Sequence, residues 1–155
     1  MSAVKFIPYQ NRLSKLIKLP GGKRIEEAIA AADENLEAIR PPCLEALDEH
    51  IARIVALSNG APSPAAFDDI YEQSNHIVGL GGVFGLGDLS RAAYSLCDLV
   101  DRARDHGGPD RQALLVHVNS LKLLRLGDAV PAEERRKVLD GLTAVVLRTS
   151  ARAAS

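Results

Sequence analysis

Apolar residues recur along this chain at intervals of three and four, and no stretch alternates at the two-residue period of a half-buried strand. That periodicity commits the fold to helices packed on helices. Turn residues divide the pattern. A short helix is predicted around Arg12 to Leu19, ended by Pro20-Gly21-Gly22, and a second from about Lys23 to Ile39, interrupted at Pro41-Pro42. A third, Cys43 to Leu57, carries Leu44, Leu47, Ile51, Ile54 and Val55 on one face and stops at Ser58-Asn59-Gly60. Ser63 caps a fourth whose first turn holds Pro64, ended by Gly85 and Gly87. Asp88 is expected to cap the next, with Leu89, Ala92, Ala93, Leu96, Leu99 and Val100 as its buried stripe. After Gly107-Gly108-Pro109, Leu114, Val118, Leu121 and Leu124 line a helix to Gly127, and Pro131 begins a last one with Val138, Leu142 and Val145.

Short turns favour antiparallel neighbours, so residues 42–126 suit an antiparallel four-helix bundle in an all-α fold. Residues 1–40 then form a basic helical extension, 41–127 the bundle, and 128–155 a C-terminal helix packed on it. The length of 155 residues supports one core. A net charge of -1 and scarce aromatic residues argue against nucleic acid. There is no apolar run long enough for a membrane span and no signal-peptide pattern, which leads to the expectation of a cytoplasmic monomer. Cys43 and Cys97 lie in helical patterns as small apolar residues rather than as a disulfide framework. Lys5, Arg12, Lys15, Lys18, Lys23 and Arg24 all precede the first acidic residue, Glu26, and make the N-terminal arm locally basic. A solvated amphipathic helix packed on the domain explains such an arm more simply than an acidic partner or a lipid surface does.

The fourth helix is the most informative. At 100° per residue, Phe67, Ile70, Ser74, Ile77, Gly81 and Phe84 share the side that must face the core. The opposite side carries Asp69, Glu72, Gln73, Asn75, His76, Gly79 and Val83, so His76 projects to solvent with Gly79 one turn along. Glycines at 79, 81, 82 and 85 each cost a helix roughly 1 kcal/mol against alanine, and close approach of another backbone is the expected compensation.

The segment FDDIYEQSNHIVGLGGVFGLGDL, with His76, Gly79, Gly81, Phe84, Gly85 and Leu89, resembles the phosphotransfer helix of bacterial histidine-phosphotransfer (HPt) domains. The resemblance implies a four-helix bundle of two-component signalling. Its exposed histidine, His76, would accept a phosphoryl group from a response-regulator aspartate and return it. Glu72, Asn75, Gly79, Gly82 and Val83 would form the docking face. It also implies a receiver domain as partner, with a histidine kinase as a further one, and no cofactor of its own, because the divalent metal belongs to the receiver. The family usually spaces its histidine four residues before the first glycine, whereas here the spacing is three. An ungapped alignment on Gly79, Gly85 and Leu89 puts Asn75 in the acceptor position, and asparagine has no nucleophilic nitrogen for this chemistry. A second reading is therefore a bundle that docks a receiver without relaying phosphate.

Asp69 and Gln73 form D-x-x-x-Q, similar to the motif of CheZ-type phosphatases. By that resemblance Gln73 orients a water against the receiver's aspartyl phosphate while Asp69 pairs with its lysine. A two-position pattern is weak, since such residues are common on solvated faces. The remaining histidines attract simpler explanations: His50 on a polar face, His106 at a helix C-terminus, His117 beside the Leu114 and Leu121 stripe. No histidine pair has metal-ligand spacing, and Gly79-Leu80-Gly81-Gly82 lacks the strand and the Lys-Ser/Thr of a phosphate loop, so neither a metal site nor nucleotide binding is expected.

Overall fold

A computed structural model describes residues 24–153, with side chains described to residue 149. The predicted helix at Arg12 to Leu19 and the lysines of the basic arm lie outside the described residues. Every regular element among those described is helical: α1 (Ile25–Asn59), α2 (Pro64–Val83), α3 (Gly87–Ala103), α4 (Arg111–Leu124) and α5 (Ala132–Ala153), with 3-10 turns at Arg104–His106 and Gly127–Ala129.

The chain divides into two compact units, residues 1–38 and 39–155. In the first, α1 opens where the Arg24 amide donates to Glu27 Oε2 at 3.2 Å, half of a capping box. Ile25, Ile29 and Leu36 are exposed along it.

The second unit holds one core. Leu47, Ile51 and Ile54 of α1 meet Ile70 and Ile77 of α2, Leu89, Leu96 and Leu99 of α3, Leu114, Val118 and Leu121 of α4, and Leu139, Leu142 and Val146 of α5. Each such side chain, fully buried, contributes about 1.5–3 kcal/mol of apolar transfer. The stripes expected for α3 and α4 are the ones buried, and on α1 Leu47, Ile51 and Ile54 are buried while Leu44 and Val55 are half-buried. On α5 the valine facing the core is Val146, with Val145 only half-buried. Ser63 caps α2 as expected, its hydroxyl accepting from the Ala66 amide at 3.1 Å, and Asp110 caps α4 through the amides of Gln112 and Ala113.

Three local expectations are corrected. Pro41 and Pro42 do not interrupt the helix: both lie inside α1. Proline's fixed φ suits a helix, and both prolines are exposed, where a carbonyl deprived of its amide donor can be hydrated. Asp88 does not cap α3. Leu86 occupies that position without a side-chain bond, and Asp88 instead accepts from Arg135 Nε at 2.8 Å. Arg135 also donates to the carbonyls of Gly127 and Val130, tying the start of α5 to the preceding turn. Finally, close approach explains only one of the four glycines in and just after α2. A Cβ on Gly81 would stand 2.6 Å from Ser90 Oγ and 3.3 Å from the Leu86 carbonyl oxygen, whereas Gly79 has nothing within 4 Å, Gly82 only Ser90 Oγ at 3.9 Å, and Gly85 is required by its φ of +78° at the helix end.

His117 is fully buried between α3 and α4. Its Nδ1 lies 2.9 Å from the Ala113 carbonyl, which can only accept, so Nδ1 carries the proton and the Ser95 hydroxyl donates to Nε2 at 3.0 Å. Burial pushes its pKa below the ordinary histidine value. The unfolded chain, at about 6.5, then takes up a proton before the folded one does, so this stability is complete above pH 6.5 and is lost as pH falls below it. Melting temperature should therefore drop between pH 7.5 and 5.5. A His117→Leu variant should show a slope smaller by up to about 1.4 kcal/mol per pH unit in denaturant titrations.

Candidate functional site

The face predicted from α2 is completed by α1, which sequence periodicity could not align with it. His50 and Arg53, one turn apart on α1, stand against Asp69, Gln73 and His76, which rise in successive turns of α2. Arg53 donates to Asp69 Oδ2 from Nε at 3.1 Å and from Nη2 at 2.6 Å. Gln73 Nε2 donates to Asp69 Oδ1 at 2.9 Å, and its Oε1 lies 2.7 Å from His50 Nδ1. The His50 and His76 rings stack, with centroids 4.8 Å apart and planes 13° from parallel.

This network fixes its own protons. A carboxylate oxygen only accepts, so the amide nitrogen of Gln73 must face Asp69 and its oxygen must face His50. That oxygen also only accepts, so His50 Nδ1 carries hydrogen. The Arg53 guanidinium holds the Asp69 carboxyl below the usual carboxylate range, and the Gln73 amide adds to the effect against a smaller desolvation. Arg53 is more than half exposed, so the pair contributes little to stability, on the order of 1 kcal/mol or less. Its weight lies in orientation.

His76 is about half exposed, at 53% of its side chain; besides its stack on His50, its Nε2 lies 3.9 Å from Glu72 Oε1, beyond hydrogen-bond reach. Glu72, Asn75, Gly79, Gly82 and Val83 are exposed on the same helix. Leu86 follows them in the chain and is half-buried against the core, so it adds no exposed apolar contact beside Val83. Beyond the helix end, Arg40 Nη1 donates to the Phe84 carbonyl at 3.3 Å and its guanidinium lies 5.3 Å from the Phe84 ring centroid. A cation thus meets the carbonyl end of α2, the favourable sign for a helix C-terminus.

Sequence reasoning missed His50 and Arg53. Their only signal was the i, i+3 spacing of a histidine and an arginine on a helix, which has no specificity. No group of three metal-ligating side chains occurs among the described residues, and no described helix is long and apolar enough to cross a membrane. The thiol of Cys97 is pushed up to about 11 by burial, consistent with packing. A separate groove of about 440 Å³ between α3 and α5, lined by Tyr94, Ser95, Arg102 and Leu147 among others, shares no residue with the α1–α2 face. Compared with protein-family models, with curated proteins and with solved structures, the chain matches none.

Proposed function

We propose that this chain is an HPt-like protein of two-component signalling, built as a four-helix bundle with added helices, which docks a receiver domain on the α1–α2 face and relays a phosphoryl group through an imidazole there. The observation that carries the reading is the stack of half-buried His50 on exposed His76, beside a helix position, Gly79, with open space around it. Imidazole is a competent nitrogen nucleophile near neutral pH, and the receiver would bring the divalent metal that stabilises the transferring group. A cytoplasmic monomer working between a histidine kinase and a response regulator fits this role.

Docking without relay is the second reading, favoured by the one-residue offset that sets exposed Asn75 in the family's acceptor register. The phosphatase reading needs Gln73 to hold the attacking water through its second amide hydrogen or second carbonyl lone pair, since one of each is engaged by Asp69 and His50, and needs Asp69, already paired with Arg53, to take the receiver's lysine as well.

One experiment separates the three: incubate the chain with a receiver domain bearing labelled phosphate. Label moving onto this chain in acid-labile, alkali-stable form supports relay. Faster release of free phosphate that depends on Gln73 supports the phosphatase, and binding with unchanged label supports the adaptor. Absence of binding overturns all three.

A further inference from the structure

We infer that the phosphoryl-accepting atom of this face is Nε2 of His50 on α1, rather than any nitrogen of His76, and that Gln73 and Asp69 are its positioning residues. The inference deepens the proposed function and rests on it only where the donor is a receiver domain.

The argument is one of tautomer and access. An imidazole attacks phosphorus through the lone pair of its unprotonated nitrogen, so a ring held in one tautomer presents one nucleophilic atom in one direction. His50 is such a ring: Nδ1–H donates to Gln73 Oε1 at 2.7 Å, which leaves the lone pair on Nε2. Among the described residues no side-chain nitrogen or oxygen that is cut off from solvent lacks a hydrogen-bond partner, and none of those residues bonds His50 Nε2, so this atom of a half-buried ring is not sealed from solvent. Its lone pair lies in the ring plane, while His76 covers a face of the ring, so the stack steadies His50 without blocking approach. Among the described residues none gives His76 a hydrogen bond that would choose between its tautomers.

The step balances without any further reagent. The Nε2 lone pair forms the N–P bond as the P–O bond to an acyl carboxylate breaks, and the carboxylate departs with that electron pair. Nδ1 keeps its proton. The resulting phosphoimidazolium has its positive charge met by Gln73 Oε1, whose amide is polarised from the other end by Asp69, and Asp69 is kept ionised by Arg53. Asp69 and Gln73, the residues of the D-x-x-x-Q pattern, thus serve the histidine rather than a water.

Phosphoramidate supplies a test that needs no receiver, since its P–N bond breaks with the electrons going to ammonia. The intact chain is treated with potassium phosphoramidate, the adduct is read by ³¹P NMR, and the site is mapped by mass spectrometry. His50 should be labelled first, about tenfold faster than exposed His106, and Gln73→Met should bring that rate down by about tenfold. Nitrogen-15 NMR of the untreated chain should show neutral His50 protonated at Nδ1. A first adduct on His76, equal rates at His50 and His106, no adduct, or an Nε2-protonated His50 overturns the assignment. The map and the NMR use the unsubstituted chain and so do not depend on a variant folding. If phosphoramidate labels His50 and a phosphorylated receiver does not, the docking reading fails while the acceptor assignment stands.

Discussion

Gly108→Ala is expected to destabilise the protein by about 3 kcal/mol, lowering its melting temperature by about 10 °C. Two costs add. Gly108 has φ of +102°, a backbone conformation that an L side chain rarely adopts. In addition, a Cβ there would overlap the Phe67 ring at Cε2, Cζ and Cδ2. Phe67, in the first turn of α2, packs against the core. The ring must swing out and lose burial, or the turn between α3 and α4 must open. Urea unfolding of Gly108→Ala alone and combined with Phe67→Ala separates the two costs: the double variant removes the overlap and keeps the backbone strain. Additive losses would show that the ring does not meet the new methyl group.

The other large effect concerns docking. Gly79→Trp should weaken binding of a receiver domain by a hundredfold or more, by blocking the close approach that partner contacts need. The same site should be free of internal cost, since nothing lies within 4 Å of a Cβ at Gly79. Gly79→Ala should even raise stability by about 1 kcal/mol through helix propensity. Calorimetric unfolding and a binding titration, run on both variants, give the signature of a position kept small for a partner: stability rises with alanine while affinity collapses with tryptophan. Undiminished binding by Gly79→Trp would remove this face from consideration as the docking surface.

Much of the helical architecture was legible because burial follows a 3.6-residue period. Ile70, Ser74, Ile77, Gly81 and Phe84 are buried along α2 as their spacing requires, with Phe67 half-buried at its start. Caps were legible where the chemistry is local, as with Ser63. Where a choice depends on a distant group, the outcome differed. Asp88, a plausible cap, is drawn to Arg135 from 47 residues away. His117, expected beside an apolar stripe, sits wholly inside it because Ser95 and the Ala113 carbonyl satisfy both ring nitrogens.

The candidate site divides along the same line. Sequence alone determined that Asp69, Gln73, His76 and Gly79 share the solvent side of one helix, since that follows from the rise and twist of an α-helix. Only tertiary structure decided that His50 and Arg53 of α1 stand against them. That pairing depends on the rotation and offset of α1 against α2, which are set by how Leu47, Ile51 and Ile54 pack beside Ile70 and Ile77. The same packing sets the direction of the Gln73 amide, and with it the nitrogen of His50 that carries hydrogen.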